Sequence, residues 1–421
     1  MASSRTEAPA PGGGEATRAA DGRPAPPSAA DKWVARRLLQ ALGDAPVRVV
    51  FWDGEEIGVS PAAPRFRVRF RDRAALSQVV SDPDLGFGDA YADGGVEVEG
   101  DLVAFLETAF RTQANAAPVG PLKRLLLRWL HRPRGGGRAA ARDNIHRHYD
   151  LGNDFYRLWL DDEMVYTCAY FPTPETTLEE AQKAKMDHVC RKLQLRPGQA
   201  VIEAGCGWGA LARHMARHYG VTVRAFNISH EQIVYARERA RAEGLDGRIE
   251  YVEDDYRAIK GECDAFASVG MLEHVGRAHY RELGGVIRRV LRPHGRGLVH
   301  SIGKARPGPT SPWLEKRIFP GSYIPSLGEM MGVFEPWSFS VLDVENLRLH
   351  YAKTLEHWLR RFEAAAGRVE GTLGRKFVRT WRLYLAASLA GFTVGGVQLF
   401  QIVFAPLGDN TVPWTRAHLY A

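Results

Sequence analysis

The chain has 421 residues, of which 45% are hydrophobic and 25% charged; at roughly 100–200 residues per domain this predicts two or three globular domains and excludes a collagen, a mucin or a wholly disordered chain. The formal net charge of +7 favours an anionic partner, either a membrane surface or a nucleic acid. Its four cysteines, which form no C-x-x-C pair and have no histidines at zinc-ligand spacing, predict neither a disulfide framework nor a metal site and favour a reducing, cytoplasmic compartment.

The first predicted elements follow a polar tail. Residues 1–31 consist mainly of Ala, Pro, Gly and Ser and lack the apolar core of a secretory signal, so we predict that they are disordered. Residues 32–118 are predicted to form a small α+β domain. In it VRVVFWDG and PRFRVRFRD alternate as strands, and a helix begins behind the N-cap residue Asp101.

A basic linker is predicted at residues 119–142. From Pro121 to Arg142 it carries seven Lys and Arg residues and no acidic residue. Its leucine-rich first half favours an amphipathic helix on an anionic membrane surface, and an ordinary solvated linker explains the composition equally well. Aromatic residues are not interleaved with the charges, which argues against nucleic acid as the partner.

Strands and helices alternate from Ala200 onward, with strands at AVIEAG, VTVRAFNIS, IEYVED, DAFASVGM and GLVHSIG. This alternation predicts a doubly wound parallel sheet in a domain that spans residues 143–421. Residues 383–408 contain no charged residue and exceed the ~20 needed to cross a bilayer. Because Gly395 and Gly396 divide this run and its second half is rich in β-branched and aromatic residues, it predicts a buried helix followed by a buried strand.

The first of these strands ends in a glycine-rich turn with the pattern E-x-G-x-G-x-G. Glycines at a strand-to-helix turn let the backbone approach a ligand closely, and the N–H groups of the following helix point toward that ligand. The spacing differs from the G-x-G-x-x-G of dinucleotide-binding folds. It resembles the first motif of the class I methyltransferases, which bind S-adenosylmethionine. The cofactor residues that this motif implies are Glu203, Gly205, Cys206, Gly207 and Gly209.

The ends of the next two strands complete the predicted cofactor site. In most methyltransferases the second strand ends in an acid that binds the ribose, but this chain has FNIS there. We therefore assign the ribose contact to Asn227 or Gln232. The third strand ends in Asp254, Asp255 and Tyr256, at a position that in such folds usually meets the adenine.

Six sequence blocks together resemble the cyclopropane-fatty-acyl-phospholipid synthases and the related mycolic acid cyclopropane synthases. The resemblance extends from about residue 35 to residue 406, and the blocks follow the order of the family. They are IHRHYDLGNDFYRLWLD at 145–161, MVYTCAYF at 164–171, VIEAGCGWG at 201–209, SVGMLEHVG at 268–276, LVHSIG at 298–303 and VQLFQIVFA at 397–405.

The resemblance implies an enzyme that adds the methyl group of S-adenosylmethionine to a cis double bond of a phospholipid acyl chain and then removes a proton to close a cyclopropane ring. In this family a bound bicarbonate ion is thought to be the base. Glu273 is expected to hold the acid proton of the ion, while His300 and Tyr351 donate hydrogen bonds to its oxygens. The backbone N–H groups of Cys168 and Ile302 complete the expected pocket.

Further features of the resemblance concern the cofactor and the lipid. Tyr166 and Thr167 are expected to close over the cofactor, with Thr167 where many members have serine. Ser388 stands where the family often has a cysteine, so either no thiol is required there or this chain is impaired. The N-terminal domain at 32–118, with GFGDAYADGGVEVEGDL at 86–102, resembles the lipid-binding domain of the phospholipid-acting members, which is similar to sterol carrier folds, and it favours acyl chains of membrane phospholipid as the substrate.

Alternatives in function and assembly stay open. Members of the superfamily also make methyl-branched or methylene acyl chains, or methylate amines of small molecules. A lipid-binding protein without turnover would keep the same sheet. The resemblance implies a cytoplasmic enzyme that is peripheral at the inner face of the membrane, and a homodimer is one of its open assembly states.

Overall fold

The computed structural model describes residues 25–115 and 151–420. Most of the predicted tail at 1–31 and all of the predicted linker at 119–142 lie outside these residues. The chain divides into two compact units, one comprising Met1–Ala90 with Gly94–Gly100 and the other Tyr91–Asp93 with Asp101–Ala421. The domain limits of 32–118 and 143–421 stay predictions.

The smaller unit contains α1 (Ala29–Ala41), β1 (Val47–Val50), β2 (Glu56–Gly58), β3 (Phe66–Phe70), α2 (Arg73–Ser81), α3 (Pro83–Ala92) and β4 (Val96–Glu99). The last two residues of α3 are counted with the larger unit. Within residues 25–115 the strands form one sheet in the order β2-β1-β3-β4. β1 pairs with β3 in parallel, and the β1/β2 and β3/β4 pairs are antiparallel. The sequence predicted β1 and β3 and did not predict β2 and β4.

The elements of the larger unit are α4 (Leu102–Asn115), α5 (Asn153–Arg157), α6 (Leu178–Leu193), β5 (Ala200–Ala204), α7 (Ala210–Tyr219), β6 (Thr222–Asn227), α8 (His230–Ala242), β7 (Ile249–Glu253), β8 (Cys263–Val269), α9 (Leu272–Val275), α10 (Tyr280–Val290), β9 (Leu291–Gly303), α11 (Pro312–Arg317), α12 (Leu327–Met330), β10 (Phe339–Asn346), α13 (Arg348–Val394) and β11 (Gln398–Pro406). α4 begins as predicted, because Asp101 Oδ1 accepts the Ala104 N–H at 2.8 Å. α13 is interrupted at Gly374, whose φ of 82° is not helical.

Within residues 151–420 the strands form a sheet in the order β10-β11-β9-β8-β5-β6-β7. The pairs from β9 to β7 are parallel, and β11 runs antiparallel to both of its neighbours. The predicted sheet is confirmed with this one reversed strand. The chain passes from β5 to β6 on one side and later returns to β8 on the other side, so the strand order reverses between β5 and β8. Open α/β sheets bind ligands at this point, beyond the carboxyl ends of the strands.

Helices cover both faces of this sheet because successive side chains of a strand point to opposite sides. Val201 and Ile202 of β5 belong to two different core clusters. α6, α7 and α8 pack over the face of Val201, and α10 packs over the face of Ile202. α10 buries Leu283, Ile287 and Val290, at the helical spacing typical of an amphipathic helix on a sheet.

The uncharged run at 383–408 is the end of α13 followed by β11, as predicted. Gly395 ends the helix in the left-handed region with a φ of 82°, and β11 lies buried between β9 and β10. Among the helices of residues 25–115 and 151–420, none has both the length and the hydropathy needed to cross a bilayer.

Candidate active site

A cavity opens at the carboxyl ends of β5, β6 and β8, where the strand order reverses. Its wall combines the glycine turn after β5, the end of β6, the loop after β8 and the segment that precedes α6. Most of the residues predicted to bind the cofactor line this cavity. They are Tyr166, Thr167, Glu203, Gly205, Cys206, Gly207, Asn227 and Gln232.

The turn after β5 requires glycine at two positions for different reasons. Gly205 and Gly207 have φ values of 83° and 53°, in the left-handed region that favours glycine. A Cβ atom on Gly205 would stand 2.9 Å from Met271 Cβ, whereas a Cβ atom on Gly207 would meet no described atom within 4 Å. Gly207 therefore borders open space, as the close approach of a ligand to the backbone requires.

Gly209 has a packing role, and its contact with the cofactor stays a prediction. A Cβ atom at this position would overlap the ring of Tyr251, whose hydroxyl donates to the Gly209 carbonyl at 2.9 Å. Gly209 is not among the described residues that line the cavity. Its glycine is needed to pack the first turn of α7 against β7.

Glu203, at the end of β5, presents an unsatisfied acceptor. Its side chain is buried, and its Oε2 atom has no hydrogen-bond partner within the described part of the chain. Burial raises the pKa of Glu203 to about 7, although the charges of Lys185 and Arg213 oppose this shift. Buried acceptors are normally satisfied, so a carboxylate in a cavity wall fits a ligand that brings its own donors, as the ammonium and ribose hydroxyls of S-adenosylmethionine do.

Asn227 connects the end of β6 to the glycine turn. Its Oδ1 atom accepts the Ile228 N–H at 2.9 Å. Its Nδ2 atom donates to Gln232 Oε1 at 2.7 Å and to the Gly207 carbonyl at 3.3 Å. Because Gln232 Oε1 faces Asn227, the Nε2 end of Gln232 points away from it and is the better candidate for a ribose hydroxyl.

The segment before α6 contributes Met164, Val165, Tyr166 and Thr167 to the cavity wall and is fixed by hydrogen bonds. Asp161 Oδ1 accepts the Val165 N–H at 2.8 Å, and Tyr166 and Tyr384 share a hydrogen bond of 2.8 Å between their hydroxyls. Met164 between them has a φ of 59°, which is unusual for a residue other than glycine. Such strain persists only where the surroundings fix the backbone.

Helix α6 holds Thr167 in place through two hydrogen bonds. Gln182 Nε2 donates to the Thr167 carbonyl and Lys185 Nζ donates to Thr167 Oγ1, both at 2.9 Å. Lys185 is only 2% exposed, and burial lowers its pKa to about 8, although Asp161 and Glu203 act in the opposite direction. Lys185 lines the cavity and was not predicted from the sequence.

Glu273 lies in α9, directly beyond β8. Its Oε1 atom accepts the Ile302 N–H at 2.6 Å, and its buried Oε2 atom has no hydrogen-bond partner in residues 25–115 or 151–420. Burial raises the pKa of Glu273 to about 7, against the effect of the Ile302 N–H. The sequence assigned this N–H group to the bound anion; in the structure it donates to Glu273 and orients the carboxyl group.

The other predicted residues of the anion pocket come from three separate elements. The Sγ atom of Cys168 is 3.9 Å from the Leu347 carbonyl, which also accepts the Tyr351 N–H at 3.1 Å. Burial raises the pKa of the Cys168 thiol far above its usual range, so the thiol stays protonated. His300 lies buried on β9. Burial and the charges of Lys185 and Lys192 lower the pKa of His300.

The predicted adenine residues lie beside the cavity. The Asp254 N–H donates to the Asn227 carbonyl at 3.1 Å, which ties the end of β7 to the end of β6. Asp255 accepts the Arg257 N–H at 2.9 Å, and the Arg257 guanidinium lies over the Tyr256 ring. None of the three predicted residues is among the described residues of the cavity wall, and their contact with adenine stays a prediction.

Trp208 and His274 also line the cavity and were not predicted as site residues. Trp208 Nε1 donates to Asn153 Oδ1 at 2.7 Å, which joins the glycine turn to α5. Burial lowers the pKa of His274 to about 4, so this ring is neutral at pH 7. Both residues stand inside sequence blocks that carry the family resemblance, and that position was the only signal in the sequence that marked them.

Known proteins resemble this chain in sequence and in fold. The family described as mycolic acid cyclopropane synthetase matches residues 137–402, and a domain of unknown function matches residues 34–118. A probable fatty acid methyltransferase of Pseudomonas putida is 35% identical over 399 residues, which cover 91% of this chain and 98% of that protein. The cyclopropane-fatty-acyl-phospholipid synthase of Escherichia coli K12 is 35% identical over 383 residues, which cover 90% and 95%. The solved structure of mycolic acid cyclopropane synthase CmaA1 complexed with SAH and CTAB has a TM-score of 0.60 at 29% identity, covering 62% of this chain and 97% of that one.

Proposed function

The chain belongs to the mycolic acid cyclopropane synthetase family and is an S-adenosylmethionine-dependent methyltransferase, and from this premise we propose that it converts cis double bonds in membrane phospholipid acyl chains into cyclopropane rings. The observation that carries the proposal is Glu273, a buried acid with one unsatisfied oxygen next to the strand ends that form the cofactor cavity. The name of the Escherichia coli relative supports the phospholipid substrate.

S-adenosylmethionine supplies an electrophilic methyl group when it is bound. The chain's own residues bind and orient it. Glu203 Oε2 accepts hydrogen bonds from its donors, Gln232 Nε2 reaches its ribose, and Gly207 lets it approach the backbone. Thr167, held by the hydrogen bond from Lys185, completes the wall around it.

Bicarbonate supplies a base when it is bound, and the buried residues fit an anion of this kind. Near neutral pH Glu273 exchanges its proton readily because its pKa is raised to about 7, and a protonated carboxyl donates a hydrogen bond to an oxyanion. His300 and Tyr351 are the side-chain donors, and the Cys168 N–H is the backbone donor. Ile302 contributes indirectly through Glu273.

Aromatic rings extend from the cofactor cavity toward the anion residues. The Tyr166 ring centroid lies 5.2 Å from that of Trp159 and 5.3 Å from that of Trp358. Trp358 lies 5.9 Å from Tyr351, which lies 4.5 Å from Phe392. Transfer of a methyl group to an alkene leaves positive charge on carbon, which water would quench. Aromatic faces stabilise a desolvated cation by ~2 kcal/mol, which supports this chemistry.

A methyl-branched product is the second candidate. The Pseudomonas putida relative, named a probable fatty acid methyltransferase, is as similar to this chain as the synthase is. Both outcomes begin with transfer of a methyl group to the alkene, which leaves a cation on the acyl chain. Loss of a proton from the added carbon closes the ring, whereas loss of a proton from a neighbouring carbon of the acyl chain leaves a methyl branch beside a new double bond. The ring is the first candidate because the proposed base, held by Glu273, would take the proton of the added carbon.

We also place the enzyme at the inner membrane surface, held by the basic segment at 121–142. This segment lies outside the described residues, and the proposal rests on its charge and its leucines alone. An acyl chain must leave the bilayer to reach a buried site, so an enzyme bound to the lipid surface has a shorter path to its substrate.

Mass spectrometry of lipids from cells that express the chain tests the proposed function. A cyclopropane product gains one CH₂ unit and no longer reacts with ozone. A methylene-branched product gains the same mass and still reacts, and a saturated methyl-branched product gains two further hydrogens. Unchanged lipids, from a protein that still binds S-adenosylmethionine, would contradict the enzymatic proposal.

Replacing Glu273 by Gln tests the residue that carries the proposal. We expect turnover to fall by ~100-fold or more, because a positioned acid–base group is lost, while calorimetry shows nearly unchanged affinity for S-adenosylmethionine. Glu262→Gln is the matched control, since Glu262 is exposed and pairs with Arg292 at the surface. Near-normal turnover in Glu273→Gln would remove Glu273 from the mechanism.

A further inference from the structure

A row of polar side chains crosses the sheet beneath α6. Strand pairing places His300 of β9 opposite Gln401 of β11, and Gln401 opposite Glu345 of β10. Lys192 of α6 reaches this row, with its Nζ atom 2.7 Å from Gln401 Oε1 and 2.5 Å from Glu345 Oε2. Gln401 Nε2 and His300 Nδ1 are 3.1 Å apart. Three of these residues, His300, Gln401 and Lys192, are at most 2% exposed, so their hydrogen bonds are made within the protein.

The lysine determines the direction of every hydrogen bond in this row. A lysine ammonium only donates, so the group of Gln401 that faces Lys192 is the carbonyl oxygen. The amide nitrogen of Gln401 then faces His300, and an amide nitrogen also only donates. His300 Nδ1 must therefore accept, which leaves the proton of the neutral ring on Nε2.

Two effects oppose the protonation of His300. A proton on Nδ1 would point at the N–H group of Gln401 and break their hydrogen bond. It would also add a positive charge close to Lys185 and Lys192, which both lower the pKa of His300 in addition to the larger effect of burial. The nearest acid of the row, Glu345, is engaged by Lys192 and by His188 at 2.7 Å. Nothing in the row compensates a charged His300.

We propose that Lys192 and Gln401 are positioning residues that hold His300 as a neutral Nε2–H donor, so that His300 binds the anion and does not act as the base. The inference rests on the proposed function, which places His300 beside the bound anion. A glutamine amide does not pass on a proton without becoming an imidic acid, so the row serves to orient His300 and not to conduct protons.

Nitrogen NMR on the unmodified protein tests the assignment without any activity measurement. We label the histidine rings with ¹⁵N and identify His300 by the signal lost in a His300→Asn variant. The expected spectrum shows a protonated Nε2 and a bare Nδ1 that do not change between pH 6 and pH 8. A protonated Nδ1, or a ring that titrates in this range, would overturn the proposal.

The variant Gln401→Glu tests the consequence for catalysis. Its carboxylate keeps the shape of the amide and the contact with Lys192, but it accepts from His300 Nδ1 and so moves the proton to that atom. We expect kcat to fall by about 100-fold, because a wrong histidine tautomer is costly in other enzymes. The Kd of S-adenosylmethionine should stay within a factor of about two.

Gln398→Glu is the matched control, because it makes the same change on the same strand. Gln398 contacts Asn346 and the Gly395 carbonyl and does not reach His300. The Gln398→Glu variant should keep the kcat of the parent protein. Unchanged kcat in Gln401→Glu, together with an Nδ1–H signal for His300, would show that the tautomer is irrelevant and overturn the proposal. If the parent protein makes no modified lipid and His300 nevertheless gives the expected spectrum, the proposed function fails while the assignment of the tautomer stands.

Discussion

At the scale of single residues, the site consists of ionisable side chains held where ionisation is costly. Glu203, Glu273 and Lys185 are each at most 7% exposed. Burial raises the pKa of both acids to about 7 and lowers the pKa of the lysine to about 8. The three groups therefore exchange protons near neutral pH, which is where acid–base catalysis is most effective.

Glu273 should make stability depend on pH in a predictable direction. Its pKa is raised from 4.5 to about 7 in the folded protein, so the folded state binds more protons than the unfolded state between these values. Relative to Glu273→Gln, the parent has its full advantage below pH 4.5 and loses it as the pH rises through 7. At ~1.4 kcal/mol per pKa unit the loss approaches about 3 kcal/mol. Urea unfolding of both proteins at pH 5 and pH 8 measures it, and an equal difference at the two pH values would contradict the raised pKa.

Thr167 should stabilise the fold through its hydroxyl. Thr167→Val keeps the shape of the side chain but removes the acceptor of Lys185 Nζ, which leaves a buried ammonium with one partner fewer. We expect a loss of about 1–3 kcal/mol in the free energy of unfolding. Thr167→Ser retains the hydroxyl and should lose much less. Equal stabilities of the Val and Ser variants would show that the contact with Lys185 contributes nothing.

At the scale of elements, the sequence predicted the strands and turns whose own residues show a recognisable local pattern. β5, β6 and β8 each contain a run of apolar residues before a turn, and the glycines after β5 mark the cavity. α6 was not predicted, although it holds Thr167 and reaches the row at His300. The signal was present: Lys185 and Lys192 occupy the apolar face of α6, and lysine is rarely buried unless paired. Their acceptors could not be predicted, because Thr167 and Gln401 reach α6 only through the tertiary fold.

The glycine turn should tolerate no side chain at Gly207. Gly207→Ala costs ~1–2 kcal/mol of stability, because its φ is positive, and the added methyl group enters the space that the cofactor needs. We expect the affinity for S-adenosylmethionine to fall by at least ~10-fold. Gly244→Ala carries the same backbone cost, with a φ of 66° and no described atom within 4 Å of the added carbon, and should keep the parent affinity. Calorimetry measures the affinity of both variants for S-adenosylmethionine. Equal affinities would remove Gly207 from the cofactor site.

At the scale of the whole molecule, the residues of the site come from sequence blocks that are far apart along the chain. Most of the cofactor residues predicted from the sequence line the cavity, because a family resemblance assigns roles without geometry. It could not predict that Ile302 donates to Glu273 or that Gly209 packs on Tyr251, because such pairings depend on how the loops lie against one another. The basic segment at 121–142 remains a property of the sequence, and its role is open to direct test.

Neutralising this segment should weaken binding to anionic lipid. The variant replaces Lys123, Arg124, Arg128 and Arg132 by Gln. At ~1 kcal/mol per charge near the surface, cosedimentation with anionic liposomes should show a loss of several kcal/mol at low salt. The difference should shrink at high salt, because the Debye length falls from about 10 Å at 0.1 M to about 3 Å at 1 M. Activity on vesicles should fall with binding.

A control variant with the same change in net charge removes exposed basic residues of the larger unit. Its four replacements by Gln are at Arg241, Lys260, Arg288 and Lys316. It should bind liposomes almost as the parent does. If the two variants bind equally, the segment is an ordinary solvated linker.

The spacing of the two buried lysines on α6 constrains how such an enzyme can diversify. Lys185 supports the cofactor wall and Lys192 supports the row at His300, and seven residues at 1.5 Å each separate them by about 10 Å along the helix. Deleting one residue between them would turn one lysine by about 100° around the helix axis and misalign the two pockets together. The number of residues between Lys185 and Lys192 in α6 must therefore be kept when the sequence changes. Active recombinants of two relatives should be those in which α6, β9 and β11 come from the same parent.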